Sequence, residues 1–248
     1  MSLLQSLSPE ANVVVIGTSG GIGGAIVDKL STDERIATIH ALSRSGERAA
    51  DEVVLPGEID IVDEASIASA AARCGRGAGI DLVFVATGIL HRGDEIQPEK
   101  RMRDLDAATM RDVMHVNAIG PALVAKHFLP LMRRKGKTVF AAISARVGSI
   151  SDNRLGGWAS YRASKAALNM LIKTLSIEQV RSRPDSISVA LHPGTVDTGL
   201  SRPFQSRVPG GKLFDPAYAA EQLLTVIDGL GPQDNGAFFA WDGSRIDY

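Results

Sequence analysis

An α/β fold with a doubly wound parallel sheet is expected from three features of the sequence. Short apolar runs alternate with amphipathic helical runs along the whole chain, and strands joined by helical crossovers lie parallel with helices on both faces. The first apolar run passes through a glycine cluster straight into a helix, Val13-Val-Val-Ile-Gly-Thr-Ser-Gly-Gly-Ile-Gly-Gly-Ala-Ile-Val27. The 248 residues suit one domain of this kind, which can run to about 250 residues.

Seven strands are expected, at residues 13–16, 36–42, 52–55, 81–86, 138–143, 187–191 and 237–241. Most of them lack polar alternation, which marks strands covered on both faces. Helical periodicity covers 22–31, 64–73, 106–134, 160–182 and 216–229. The long run 106–134 contains Asn117 and Pro121. Pro121 cannot donate to the carbonyl four residues back and crowds it, so a kink or opening is expected at Asn117. No linker or repeat divides the chain, and residues 1–248 read as a single domain.

Composition narrows the function. A formal net charge of −1 argues against nucleic acid as the partner. No apolar run reaches the roughly 18 residues of a membrane span. The N-terminal segment from Met1 to Pro9 lacks the basic region and apolar core of a signal peptide. The one cysteine, Cys74, allows no intrachain disulfide, so a cytoplasmic location is expected. His40, His91, His115 and His127 have no metal-ligand spacing, and no metal is expected.

A strand, a glycine turn and a helix start present free backbone N–H groups and the positive end of a helix dipole, a cradle for a dinucleotide pyrophosphate. The glycines Gly17, Gly21 and Gly23 have G-x-x-x-G-x-G spacing, and Ser19 and Ile22 lie inside the turn. Twenty residues beyond Gly23 stands Ser43, followed by Arg44. A carboxylate there binds an unmodified ribose, whereas a guanidinium grips a 2′-phosphate, so NADP(H) is favoured over NAD(H). Further on, Tyr161 and Lys165 share a helix face at i and i+4. An ammonium beside a phenol favours tyrosinate, so a lowered Tyr161 pKa is expected.

The glycine spacing, Asn117, the Tyr161-x-x-x-Lys165 pair and Pro193-Gly194, in this order, resemble the short-chain dehydrogenases/reductases. Ser149-Ile-Ser-Asp-Asn153 followed by Gly156-Gly157 and Tyr161-Arg-Ala-Ser-Lys165 resembles the C-factor and Sniffer-like carbonyl reductases in particular. The resemblance implies a Rossmann fold and an oxidoreductase that transfers hydride between nicotinamide and a small-molecule carbonyl or secondary alcohol. It implies that Tyr161 exchanges the proton, that Lys165 also holds the nicotinamide ribose, and that Asn117 holds a water of a proton relay. Asp60 and Ile61 would contact the adenine, Ala86, Thr87 and Gly88 the cofactor ribose region, and Pro193, Gly194, Val196 and Thr198 the carboxamide.

The chain departs from the family pattern at two places. Val85-Ala-Thr-Gly88 stands where the family has Asn-Asn-Ala-Gly. Three residues before Gly148, where the family has its catalytic Ser, stands Ala145. Ser144 is the expected substitute if a bulge turns it into the site. A regularly alternating strand points it the other way, leaving Ser149 as the other candidate. His192 is expected to be structural. Residues 199–216 read as a lid, with Phe204 and Arg202 as possible substrate contacts, and the charged segment from Arg92 to Arg103 as a surface loop. The resemblance also implies a homo-oligomer, dimer or tetramer, with the helices 106–134 and 160–182 at the subunit interface. Two other readings stand beside the enzyme: a C-factor-like nucleotide-binding signalling or scaffold protein with little turnover, and a dehydratase or epimerase using the same Tyr and Lys.

Overall fold

The computed structural model describes residues 3–77 and 79–248; Met1 and Ser2, which open the N-terminal segment read above, lie outside them. Among the described residues nine strands form, β1 (Ala11–Ile16), β2 (Ile36–Ser43), β3 (Val54–Glu58), β4 (Leu82–Val85), β5 (Thr138–Ile143), β6 (Ser186–His192), β7 (Thr195–Val196), β8 (Leu213–Phe214) and β9 (Phe238–Ala240). Seven make one sheet in the order β3-β2-β1-β4-β5-β6-β9, and every pairing in it is parallel. The order reverses between β1 and β4, which opens a crevice at their carboxyl ends. The third strand lies later than expected, because it takes in Pro56. Pro lacks a ladder donor and is tolerated at a sheet edge, and β3 is an edge.

The helices are α1 (Gly21–Leu30), α2 (Glu64–Cys74), α3 (Ala107–Met114), α4 (Gly120–Phe128), α5 (Ala159–Gln179) and α6 (Pro216–Gly229). Alternate β1 residues serve opposite faces. Val13 and Val15 join the core under α1 and α6, while Val14 and Ile16 join that under α2, α4 and α5. This two-sided burial is why the strands read as unbroken apolar runs.

The run 106–134 is not one helix. Between α3 and α4 lies a π turn, His115–Ile119, closed by Gly120 N–H donating to the His115 carbonyl. It is the opening expected from Pro121, which supplies no N–H to the carbonyl of Asn117. Gly120 is required here by close approach: a Cβ on it would stand 2.6 Å from the Ile61 carbonyl oxygen.

Candidate active site

The glycine turn forms at the carboxyl end of β1. Gly17 takes φ +94°, which favours glycine, and Gly23 comes so close to it that a Cβ would overlap the Gly17 carbonyl. The N-cap of α1 is Gly20, with no side-chain cap and no acidic residue in the first turn. The amino end of α1 therefore offers uncapped N–H donors and its positive dipole end. A Cβ on Gly21 would stand 2.8 Å from Thr198 Cγ2, so the turn and the segment after β6 form facing walls of a narrow cleft.

Two cavities share the floor Ala86, Thr87 and Gly88. The larger, about 620 Å³, is lined by Ser19, Gly21, Ile22, Tyr161, Lys165 and the 192–196 turn, among others. The second, about 390 Å³, is lined by Gly17, Ser43, Arg44, Asp60 and Ile61, among others. Arg44 is exposed and makes no ion pair among the described residues, whereas Arg48 is paired to Asp28. Ile61 is buried. The elongated double cavity, the uncapped helix end and the small-residue floor fit a nicotinamide dinucleotide. Among the described residues no cluster of three His, Cys, Asp or Glu side chains is placed to hold a metal.

Tyr161 is 8% and Lys165 2% exposed. Lys165 Nζ lies 5.9 Å from the centre of the Tyr161 ring and donates to the Ile143 carbonyl at 2.8 Å. Burial lowers the Lys165 ammonium to about 7. Burial also raises the Tyr161 phenol, against the lowering expected from the spacing. Desolvation disfavours the charged form of each, and for the phenol it outweighs the ammonium beside it. Gly148 is needed for this placement, since a Cβ on it would stand 2.7 Å from Lys165 Cβ.

Asn117 is fully buried and grips the segment after β4. Its Oδ1 accepts from Ile89 N–H at 2.8 Å, and its Nδ2 donates to the Ile89 carbonyl at 2.8 Å. Nδ2 also donates to Ser164 Oγ at 3.0 Å, and Ser164 donates in turn to the Tyr161 carbonyl at 2.8 Å. A Cβ on Gly88 would stand 3.5 Å from both Asn117 Oδ1 and Lys165 Nζ, so a side chain there would crowd both groups.

Ser144 lines the cavity, but its hydroxyl donates to Asn169 Oδ1 of α5 at 2.7 Å. β5 stays in register with β6 up to Ile143, without the expected bulge. Ser149 is buried as well, against Ser151 Oγ and Asp152 N–H. Ala145 lines the cavity beside Ser144.

The substrate end is apolar and aromatic. Leu90, Val147, Trp158, Leu200, Phe204 and Val208 line it. Trp158 stands 5.1 Å from Phe204 and 6.3 Å from Tyr161, ring centre to ring centre. Trp158 has φ 53° and ψ 43°, a left-handed conformation costing a non-glycine residue about 1 kcal/mol. Arg162 holds this turn by donating to the carbonyls of Gly156, Gly157 and Val147. The 199–216 segment is ordered by Gln205, which donates to Asp197 and Ser201, and by the β7–β8 pairing. Phe204 reaches the cavity and Arg202 does not. His192 lines the cavity, and burial lowers its imidazole to about 4, which suits a neutral structural ring.

Four residues that matter here carry no signal in the linear pattern. Ser164, Arg162 and Asn169 lie on α5, and their partners Asn117, Val147 and Ser144 come from other elements. Glu99, in the stretch expected to be surface loop, is 5% exposed.

The family model for short chain dehydrogenases matches residues 11–208. A relative from Rhodococcus sp. (strain AD45), 1-hydroxy-2-glutathionyl-2-methyl-3-butene dehydrogenase, is 31% identical, covering 96% of this chain and all of its own. C-signal of Myxococcus xanthus is 35% identical over 58% of this chain and 81% of its own. The NADPH-bound carbonyl reductase from chicken fatty liver superposes with a TM-score of 0.85 at 26% identity, covering 98% of this chain and 97% of its own. Carbonyl reductase Sniffer of D. melanogaster, at 23% identity, has the same fold with a TM-score of 0.81, covering 96% and 99%.

Proposed function

Because the chain belongs to the short-chain dehydrogenase family of oxidoreductases, we propose that it transfers hydride between NADP(H) and the carbonyl or secondary alcohol of a small apolar molecule. In this reading residues 1–248 form one catalytic domain. The observation that carries it is convergence: Tyr161, Lys165, the uncapped amino end of α1 and the 192–196 turn border one cavity.

Bound NADPH supplies the hydride. Ser19, Gly21 and Ile22 cradle the pyrophosphate through backbone N–H groups, and Gly17 and Gly23 allow the tight turn that presents them. Ser43 and Arg44 take the 2′-phosphate, Asp60 and Ile61 the adenine. Ala86, Thr87 and Gly88 admit the ribose closely, and Pro193, Gly194, Val196 and Thr198 bind the carboxamide. Tyr161, its phenol raised by burial, stays protonated at neutral pH and gives its proton to the carbonyl oxygen as the alcohol forms. Lys165 holds the ribose, and Asn117 holds a water through which the replacement proton is relayed. In the oxidising direction the same phenol must lose its proton, and nearby positive charge favours that. The NADPH-bound carbonyl reductase relative supports the cofactor and the direction.

The test is a panel of aldehydes and ketones with NADPH or NADH. The native protein consumes NADPH with at least one of them. Tyr161→Phe loses roughly a hundredfold or more in turnover while NADPH binding persists; an unchanged rate refutes the assignment. A second reading, a nucleotide-binding signalling protein with little turnover, draws on Ala145, on the Ser144 hydroxyl committed to Asn169 and on the C-signal relative. Cofactor binding without consumption across the panel favours it. The proposal includes a cytoplasmic homo-oligomer, dimer or tetramer, with exposed Met170 and Ile177 of α5 in the interface. Light scattering that shows only monomer rejects that part. Among the described residues no helix is long and apolar enough to cross a membrane.

A further inference from the structure

We propose that Glu99 is the positioning residue of the active-site helix: its buried carboxylate caps α5 from sixty-one positions away and thereby holds Trp158 and Tyr161 in the cavity. The proposal rests on the reading of Tyr161 as the proton donor.

Tyr161 lies in the first turn of α5, three residues after the N-cap Trp158. The first turn is where a helix frays, because its N–H groups have no partner within the helix. An N-cap side chain normally accepts from the N–H two or three residues on. Trp158 offers no acceptor and makes no such bond. Glu99 supplies it: Oε2 accepts from Ser160 N–H at 3.2 Å, and Oε1 accepts from Ser160 Oγ. The Glu99 backbone carbonyl accepts from Trp158 N–H at 2.5 Å, which secures the left-handed turn as well. Glu99 and Ser160 are 5% and 2% exposed. Both carboxylate oxygens are thus hydrogen-bonded at the amino end of α5, as a buried polar group requires.

The contacts beyond Glu99 give this cap its consequence. Trp158 stands edge-on to both Tyr161 and Phe204. Phe204 meets His91 at 5.8 Å, and His91 Nε2 lies 3.0 Å from the Gly199 carbonyl oxygen. The segment running from Ile89 to Glu99 is thus tied at one end to Asn117, in the middle to the 199–216 segment, and at the other end to α5. Releasing Glu99 frees the turn that carries the phenol and the indole wall of the substrate cavity, and leaves the glycine turn of α1 untouched.

The experiment compares Glu99→Ala and Glu99→Gln in a Trp241→Phe parent, so that Trp158, the other of the chain's two tryptophans, alone emits. Trp158 emission and its quenching by acrylamide, thermal unfolding, NADPH affinity and carbonyl reduction are measured together. Glu99→Ala is expected to raise the quenching constant at least twofold and to lower kcat at least tenfold. NADPH affinity stays within threefold of the parent. Glu99→Gln, which keeps an acceptor for Ser160, recovers kcat to within threefold. A folded Ala variant with kcat within twofold of the parent, or with Trp158 quenching unchanged, overturns the proposal and leaves Glu99 a stabilising contact only. Should the Ala variant not unfold cooperatively, Ser160→Ala removes one of the two carboxylate contacts and must shift Trp158 quenching in the same direction; no shift overturns the proposal. The quenching arm needs no carbonyl, so a parent without turnover sinks the redox reading and still tests Glu99.

Discussion

Replacing Asn117 with Ala removes three hydrogen bonds from a site closed to solvent. Ile89 N–H and its carbonyl both lose their partner. Each unpaired backbone group costs about 1–3 kcal/mol, and the lower end applies because Ile89 is half-buried. Ser164 loses a donor but keeps its bond to the Tyr161 carbonyl, so about 1 kcal/mol goes with that contact. The emptied volume adds less than about 1 kcal/mol. The expected loss is about 3–4 kcal/mol, read as a lower urea midpoint at unchanged slope or a melting point lower by roughly 10 °C. Asn117→Asp sharpens the test. Its carboxyl faces the Ile89 carbonyl in a desolvated site, which raises its folded pKa above the unfolded value near 3.9. A group raised in the folded state contributes stability below its unfolded pKa and loses it as pH rises through the folded one. Relative to the native protein at each pH, Asn117→Asp should therefore be least destabilised near pH 4 and most near pH 8. A loss below 1 kcal/mol for Ala, or a pH-independent deficit for Asp, would falsify the clamp.

Three further outcomes follow from the site. Ser144→Ala should lower kcat less than tenfold, because its hydroxyl goes to Asn169; a loss of the 10²–10³ typical of an oxyanion donor would restore Ser144 to the reacting centre. Arg44→Ala should weaken NADPH binding about tenfold, the scale of one exposed charge-assisted contact, and leave NADH within twofold; equal weakening of both removes the 2′-phosphate contact. His192, lowered to about 4 by burial, contributes stability that is complete above its unfolded pKa near 6.5 and is lost as pH falls toward 4. Its limiting contribution, about 3 kcal/mol, drops to about 2 because part of the ring meets solvent. Acid unfolding of His192→Gln followed by circular dichroism should lack that loss, and an acid limb identical to the native one rules it out.

The sequence by itself determined the parts that repeat locally. Unbroken β-branched runs such as Val13 to Ile16 announce strands covered on both faces, and their alternation with 3.6-residue periodicity dictates a parallel sheet. Gly17, Gly21 and Gly23 announce the turn, Pro121 the break at Asn117, and the i, i+4 spacing the shared face of Tyr161 and Lys165. Each is a property of a few consecutive residues, set by steric limits and by period. Tertiary structure decided what depends on residues far apart. The side to which Ser144 points followed from the pleat of β5 and the presence of Asn169 across it. Glu99 became a helix cap only because the chain after β4 returns to the start of α5. The phenol of Tyr161 rose instead of falling because burial is summed over every neighbour of a side chain, and spacing records only one of them.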